Sequence, residues 1–550
     1  MAHPHVDAVV VGAGAAGGIV AKELATAGLT VVLFERGRRQ SFDDHDHDDL
    51  ISQRVTVLGN AFGPDDERSR RVIKRGNEWV TVLPSEDGYG NNASCVGGGT
   101  LSYGAMAWRF MRQDFRMRST YGRPEGSTLD DWPISYDDLE PYYEKAEWEI
   151  GVSGDGDRNP FAAPRKTGYP MPPFPYNQEG RLLESSARRL GLHPFPIPML
   201  RNSVRRDGRA ACIRCRYCVG FACEVDAKCG THNTVIPKAI ATGHCRLLSE
   251  CVVSEVLSDE RGRATGVKYF DADGRLQTQT ADLVVVSASA TESARLLLNS
   301  KSRLFPAGLG NRHDWVGRNL QGHAYCGAWG LFDDEVYDDV GAGATIAICD
   351  FNHGNHGLRG GGLLANEFIR LPYQFARTRP DGVPRWGLAH KEFQRKYFKR
   401  SVTVVGPVQE MPVFESRVEL DPRVEDAWGI PVARISGHRH SHDTEVGQFL
   451  ASKAESWLKT SGAVETWTWR SGSEVSGGQH QAGTCRMGED PRTSVVNRHC
   501  QVHDVDNLFV VDGGVHVTNG GFNPVLTIMA VAYWASAYIT AEWKGTRFKS

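Results

Sequence analysis

A histidine and an asparagine near the end of the chain are the side chains best suited to acid–base chemistry. His480 opens the glycine-flanked loop 480–484 (HQAGT), and Asn523 precedes a long apolar segment. A histidine placed in this way can take the hydroxyl proton of an alcohol while the carbon hydrogen leaves as hydride, and an asparagine amide can hold the same oxygen. We predict that these two residues act as a pair; the alternative is that His480 is structural, as a loop histidine considered alone more often is.

A glycine string at the other end of the chain indicates a dinucleotide site. An apolar run, the string itself and a helical pattern follow one another over residues 8–11, 12–17 and 15–27. Gly12 permits a tight turn, Gly14 lets the backbone approach a pyrophosphate, and Gly17 allows close packing of helix on sheet. The helix N-terminus supplies partial positive charge, and Glu35 ends the next apolar run, where an acid can bind ribose hydroxyls. The alternative is a glycine turn without a ligand, and this unit does not separate a flavin from a nicotinamide.

The C-terminal segment favours a flavin. An apolar strand pattern ends in Asp512, and Pro524 suits the first turn of the helix that follows Asn523. The N-terminus of that helix would face developing negative charge, which in a reduced flavin appears at the N1/O2 edge of the ring. We therefore expect the hydride to go to flavin N5.

Bulk composition limits the kinds of partner. The chain has 550 residues, enough for two to four structural units, and its 63 basic and 66 acidic residues give a net charge of −3. This balance creates no field that would attract nucleic acid or an anionic membrane. Residues 1–6 do not resemble a secretory signal, so a cytoplasmic protein is expected. The apolar run Val525–Ala541 is interpreted as a buried helix, with a membrane span as the alternative.

Short apolar runs must supply the rest of the sheet that carries these residues. Strands are predicted over 251–256, 264–270 and 283–287, followed by a helix over 291–299. The segment 326–474 mixes strand-like runs with aromatic and histidine-rich loops, and we assign it to substrate binding by elimination.

Taken together, these motifs resemble the glucose-methanol-choline (GMC) family of flavin oxidoreductases over most of the chain. The N-terminal fingerprint matches the glycine string with Glu35. The family's flavin loop resembles Val96–Thr100, the opening of its C-terminal domain resembles Ser416–Leu420 in shortened form, and its active-site signature resembles His480-x-x-Gly483-Thr484.

The resemblance implies FAD as cofactor and an α/β fold with a Rossmann-like FAD-binding domain and a second, α+β substrate-binding domain. The FAD-binding domain would cover 1–325 and 475–550, and the substrate-binding domain 326–474. The family's catalytic positions fall on His480 and Asn523. The residues implied to bind FAD are Gly12, Gly14, Gly17, Glu35, Gly98, Gly99, Thr100, Asp512, Asn523 and Pro524.

A group of closely spaced cysteines is a further candidate site. Of its 12 cysteines, five lie between Cys212 and Cys229 with the spacing C-x2-C-x2-C-x4-C-x5-C, in an insertion at about 205–232. Such clustering favours metal or redox chemistry, and the spacing is close to the bacterial ferredoxin run. The stretch 127–136 resembles the bacterial sugar and gluconate dehydrogenase branch, whose catalytic subunits can carry an iron–sulfur cluster. We predict a 3Fe–4S or 4Fe–4S cluster on Cys212, Cys215, Cys218 and Cys223; the alternatives are structural zinc and unligated thiols.

The resulting hypothesis is an FAD-dependent dehydrogenase that oxidises a CH–OH group of a sugar or glycoside, with His480 as base. One alternative is an oxidase that uses oxygen, for example at a secondary ring hydroxyl, without a working cluster. Another is a nonenzymatic electron-transfer or metal-binding subunit. Expected partners are the small substrate, and oxygen or an electron-accepting protein. A small partner subunit could also carry the chain to the periplasm, which is the alternative location.

Overall fold

The computed structural model describes residues 4–52, 61–90, 92–341, 343–366, 370–476, 478–545 and 548. Residues 1–3, part of the segment on which the signal-sequence prediction rests, lie outside this range. The strands, in chain order, are β1 Val6–Val11, β2 Val31–Phe34, β3 Arg71–Arg75, β4 Glu78–Val82, β5 Phe195–Pro196, β6 Cys245–Leu248, β7 Val252–Ser258, β8 Ala264–Phe270, β9 Leu276–Val286, β10 Ala324–Leu331, β11 Ile346–Ile348, β12 Leu364–Asn366, β13 Ser401–Val408, β14 Arg417–Glu425, β15 Pro431–Ser436, β16 Glu465–Arg470 and β17 Leu508–Val510. The helices are α1 Gly17–Thr26, α2 Met117–Tyr121, α3 Tyr136–Ala146, α4 Gln178–Arg189, α5 Val235–Ala241, α6 Ala290–Asn299, α7 Pro372–Ala376, α8 Leu388–Tyr397, α9 Ser441–Thr460 and α10 Val525–Lys544.

A parallel sheet in the order β6-β2-β1-β9-β17 forms the first layer. Val11 of β1 and Val510 of β17 both pair with Val286 of β9, so the carboxyl ends of these three strands meet at one edge. The central strands are unbroken apolar runs because both faces of such a sheet are buried. The predicted strands are all present, and β9 begins earlier than predicted because its first half pairs antiparallel with β8. This edge is where a ligand of an open α/β sheet binds.

Two further sheets lie outside the parallel layer. The second has the order β16-β10-β13-β12-β11-β5, and α9 covers it with the buried Val446, Leu450 and Trp457. The third pairs β14 and β15 with the hairpin β3–β4. Each of these sheets combines chain from before and after residue 326, and the domain boundaries at 325 and 475 stay a prediction.

The long apolar helix α10 packs in the protein core. Leu526, Met529, Ala530 and Ala535 are buried in it, and the Thr527 hydroxyl hydrogen-bonds the Tyr143 hydroxyl of α3 at 2.7 Å. By length and composition alone, α10 is also the one helix in the described part of the chain that could cross a membrane. The burial of these side chains agrees with the predicted core helix.

Candidate active site

One cavity connects the glycine turn to the histidine–asparagine pair. It lies at the carboxyl edge of the parallel sheet. The predicted residues that line it are Gly12, Gly14, Glu35, Gly98, Gly99, Thr100, His480, Asp512, Asn523 and Pro524. The structure therefore brings together residues that are spread over most of the chain.

The glycine turn after β1 leaves room for a ligand at one position only. A Cβ on Gly12, whose φ is +101°, would lie 2.4 Å from the Ser287 carbonyl oxygen, and a Cβ on Gly17 would lie 1.8 Å from the Gly12 oxygen. These two glycines allow the chain to pack on itself. A Cβ on Gly14 would meet no protein atom within 4 Å, although Gly14 lines the cavity. The missing side chain of Gly14 thus leaves the space that a phosphate-bearing ligand requires.

Glu35 is tied to the same turn. One carboxylate oxygen, Oε2, accepts the Ala13 N–H at 3.0 Å, and the other, Oε1, accepts the Gly37 N–H at 2.9 Å. Burial raises the pKa of Glu35, against the lowering effect of these two amides. The carboxylate is thereby held in the cavity wall, where it can accept hydrogen bonds from a sugar hydroxyl.

The loop around Gly98 is locked onto the glycine turn. The Gly97 N–H donates to the Ala13 carbonyl oxygen at 2.8 Å, and the Thr100 hydroxyl donates to the Gly97 oxygen at 2.6 Å. Thr231, which the sequence did not indicate, donates its hydroxyl to the Gly14 oxygen at 3.1 Å and its N–H to Thr100 Oγ1 at 3.1 Å. These bonds hold two glycine-rich loops against each other on one side of the cavity.

Asp512 follows β17 at the sheet edge. Its Oδ1 accepts the Gly514 N–H at 2.7 Å and its Oδ2 accepts the Ser293 hydroxyl at 2.5 Å. Burial raises the pKa of Asp512 to about 6. The group is therefore a buried carboxyl with a hydrogen-bond donor on each oxygen.

This raised pKa predicts a pH dependence of stability. The pKa of an unfolded aspartate is about 4, so the folded state binds the proton more tightly and the contribution of Asp512 to stability falls as pH rises from about 4 to about 6. We expect the thermal midpoint of the wild type minus that of Asp512→Asn to decrease between roughly pH 4 and pH 7, because only the wild type ionises. Thermal unfolding of both proteins at constant ionic strength measures this. A difference that stays constant or increases would contradict the assignment.

His480 and Asn523 face each other at the far end of the cavity. The Trp108 indole N–H donates to Asn523 Oδ1 at 3.2 Å, which turns the amide nitrogen Nδ2 towards His480 Nε2 and the Tyr325 hydroxyl, each at 3.5 Å. His480 has a φ of +62°, in the left-handed region that non-glycine residues rarely adopt. Its carbonyl oxygen accepts the Asn519 amide at 2.7 Å. The pair is thus oriented by residues outside the predicted motifs.

Three residues at this end were missed at the level of sequence: Trp108, Tyr325 and His323. Trp108 and Tyr325 contact Asn523 through its amide group, and His323 contacts the ring of His480. None lies within a recognisable motif, and His323 is separated from His480 by 157 residues. Only the three-dimensional pairing of the segments reveals them.

The cysteine group surrounds a small cavity of its own. Cys212, Cys215, Cys218 and Cys223 line it together with the buried cations Arg201 and Lys228. In the described part of the chain, no three or more His, Cys, Asp and Glu side chains are arranged to hold a metal ion. The predicted iron–sulfur cluster therefore finds no support in this geometry.

The fold and the cavity are those of a nucleotide-binding α/β protein. Two family models described as GMC oxidoreductase match the chain, an N-terminal one over residues 6–325 and a C-terminal one over 412–532. The chain belongs to the GMC oxidoreductase family, as the motifs indicated, and is an FAD-dependent enzyme that acts on CH–OH donors.

Individual relatives agree over nearly the whole length. The gluconate 2-dehydrogenase flavoprotein of Pantoea cypripedii is 28% identical, with 98% of this chain and 94% of that protein covered. The 2-methyl-1,2-propanediol dehydrogenase of Mycolicibacterium austroafricanum is 31% identical, with 98% and 95% covered. Among solved structures, pyridoxine 4-oxidase from Mesorbium loti superposes with a TM-score of 0.61 at 15% identity over 97% of this chain and 98% of that one, which supports the shared fold.

Proposed function

We propose that the protein oxidises a CH–OH group of a sugar or glycoside, with His480 as the base and Asn523 as the residue that holds the alcohol oxygen. The observation that carries this proposal is the 3.5 Å approach of Asn523 Nδ2 to His480 Nε2 at the end of the cavity. A hydroxyl that lies beside the pair, within hydrogen-bond distance of both atoms, would meet a proton acceptor in His480 Nε2 and a donor in Asn523 Nδ2.

The residues that would hold FAD are those of the cavity wall. The open face of Gly14 suits the pyrophosphate, and the carboxylate of Glu35 suits a ribose hydroxyl. The N-terminus of α10, directly after Pro524, offers partial positive charge to an anionic ring edge. When bound, FAD supplies the hydride acceptor.

The proton follows a short route within the protein. His480 Nε2 would take the hydroxyl proton, and Asn523 Nδ2 would donate a hydrogen bond to the same oxygen as negative charge develops there. Trp108 keeps the amide in that orientation through its 3.2 Å hydrogen bond. Because Tyr325 also lies 3.5 Å from Asn523 Nδ2, its hydroxyl is placed to contact the substrate or to compete for the amide.

The similarity to gluconate 2-dehydrogenase supports a substrate with several hydroxyl groups. The similarity to 2-methyl-1,2-propanediol dehydrogenase supports oxidation of a hydroxyl group next to a second carbon that also carries a hydroxyl. The electron acceptor is proposed to be a protein or a small molecule other than oxygen, as the names of these two dehydrogenases suggest, with oxygen as the alternative because a relative of 30% identity is named an oxidase. The experiment must therefore distinguish this dehydrogenase from an oxidase that uses oxygen.

An anaerobic absorption spectrum of the purified protein, taken before and after a panel of sugars and glycosides, tests the proposal. We expect a flavin band that at least one of these compounds bleaches, because hydride transfer reduces the flavin. A second panel of alcohols that are not sugars is tested in the same way as the control for the substrate class. Admitting oxygen and assaying peroxide then separates an oxidase from a dehydrogenase, and iron and zinc analysis of the same sample tests the cysteine group. A flavin that only non-sugar alcohols bleach would refute the substrate class, and a flavin that none bleaches would refute the proposed reaction.

A further inference from the structure

A second histidine lies directly behind the proposed base. The segment around Gln321 pairs antiparallel with the segment around Ala482, through N–H···O bonds of 3.1 and 2.9 Å in the two directions. In this register, His323 stands opposite His480. Their Nδ1 atoms are 2.9 Å apart, and the other nitrogen of His323, Nε2, lies 2.8 Å from the Gly520 carbonyl oxygen.

These two contacts determine where the protons are. A carbonyl oxygen only accepts hydrogen bonds, so His323 Nε2 must carry a hydrogen. Asn523 Nδ2 can only donate, so its 3.5 Å contact makes His480 Nε2 an acceptor, and burial lowers the pKa of His323, which favours a neutral ring with a lone pair on Nδ1. The 2.9 Å contact between the two Nδ1 atoms can then form only if His480 Nδ1 donates. The lone pair of a neutral His480 is therefore on Nε2, the nitrogen that faces Asn523.

We propose that His323 is a positioning residue that holds His480 in the tautomer whose Nε2 accepts the substrate proton. This inference rests on the proposed function, in which His480 Nε2 is the base. In a catalytic histidine, a hydrogen bond on the ring nitrogen that does not react selects the tautomer and fixes the plane of the ring. Here the orienting group is a neutral imidazole, so it selects the tautomer without adding a negative charge next to the base.

The surroundings of His323 keep it in this role. The Glu410 carboxylate already accepts two hydrogen bonds, one from the Gly322 N–H at 3.0 Å and one from Arg439 Nε at 2.8 Å. Burial lowers the pKa of His323 and outweighs the backbone hydrogen bonds at Gly520 and Asn519 and the charges of Glu410 and Asp114, all of which favour the charged imidazole. His516, also buried, has a pKa lowered to about 4 and is neutral as well. The ring of His323 is therefore a fixed acceptor towards His480.

Two substitutions of His323 test whether the hydrogen-bond acceptor at Nδ1 is the part of the side chain that matters. His323→Asn puts a carbonyl oxygen close to where Nδ1 was, and so retains an acceptor for His480 Nδ1. His323→Gln puts its amide close to where Nε2 was, opposite the Gly520 oxygen, and removes that acceptor. We expect His323→Gln to lower kcat by about 100-fold with KM nearly unchanged, since loss of an orienting partner typically costs roughly 10- to 100-fold and a wrong tautomer more. We expect His323→Asn to restore most of the activity.

A measurement that does not depend on turnover reads the tautomer directly. Nitrogen chemical shifts of histidine-labelled protein, assigned with the His480→Asn variant, should show His480 protonated on Nδ1 in the wild type and in His323→Asn, and on Nε2 to a substantial extent in His323→Gln. Protonation of His480 on Nε2 in the wild type would overturn the inference, as would equal losses of kcat in both variants or no loss in either. If the shifts follow the expectation but His480→Ala keeps its turnover, the proposed function fails while the tautomer assignment holds.

Discussion

Replacing His480 with alanine is expected to lower kcat by about 100- to 10,000-fold, because the alcohol loses the group that takes its proton. Cofactor content should stay close to that of the wild type, since the cavity wall around Gly14 and Glu35 is unchanged. Rapid anaerobic mixing with substrate, followed at the flavin band, measures the loss at the reductive step itself.

The backbone at this position calls for two controls. His480 has a φ of +62°, where alanine is strained and asparagine is tolerated. His480→Asn therefore removes the base with less backbone strain and should lose as much activity as His480→Ala. His313→Ala removes an exposed histidine outside the cavity lining and should leave turnover intact. If His480→Asn keeps near-wild-type turnover, His480 is not the base.

Local features of the sequence were sufficient to predict the nucleotide-binding part of the fold. The glycine string that begins at Gly12 and the acid at Glu35 are residue types at a characteristic spacing, and both can be read directly from the sequence. The structure shows the corresponding features: a positive φ at Gly12, and a hydrogen bond from the Ala13 N–H of the turn to the Glu35 carboxylate. Backbone requirements of this kind are visible in a sequence because a single residue type satisfies them.

Contacts between distant segments were not predictable in the same way. Strand β3 of the hairpin β3–β4 pairs with β15, more than 300 residues further along the chain. Nothing in the sequence of either β3 or β15 indicates that the two strands pair. The same applies to Trp108 and His323, whose roles depend on where Asn523 and His480 come to lie. The cysteine spacing did indicate that these side chains come together, since four of them line one small cavity, but spacing alone does not predict what they bind, and the cluster stays a prediction.

The most direct test of the cofactor cavity is a side chain at Gly14. Gly14→Val should weaken FAD binding by roughly 10- to 100-fold, the equivalent of about 1–3 kcal/mol of overpacking. Because a Cβ at Gly14 would meet no protein atom within 4 Å, the added group occupies space that only a ligand would fill. The thermal midpoint of the apoprotein should therefore hardly change. Titration of FAD into apoprotein, followed by quenching of flavin fluorescence, gives the affinity.

A matched glycine substitution gives the opposite pattern. Gly28 has a φ of +93° and lies outside the cavity lining, so Gly28→Ala should lower stability by about 1 kcal/mol through backbone strain and leave FAD affinity unchanged. The crossed result, in which one variant loses affinity and the other loses stability, would show that Gly14 serves the ligand rather than the fold. Wild-type FAD affinity in Gly14→Val would mean that the phosphates bind elsewhere, and equal destabilisation of both apoproteins would mean that Gly14 is required for folding.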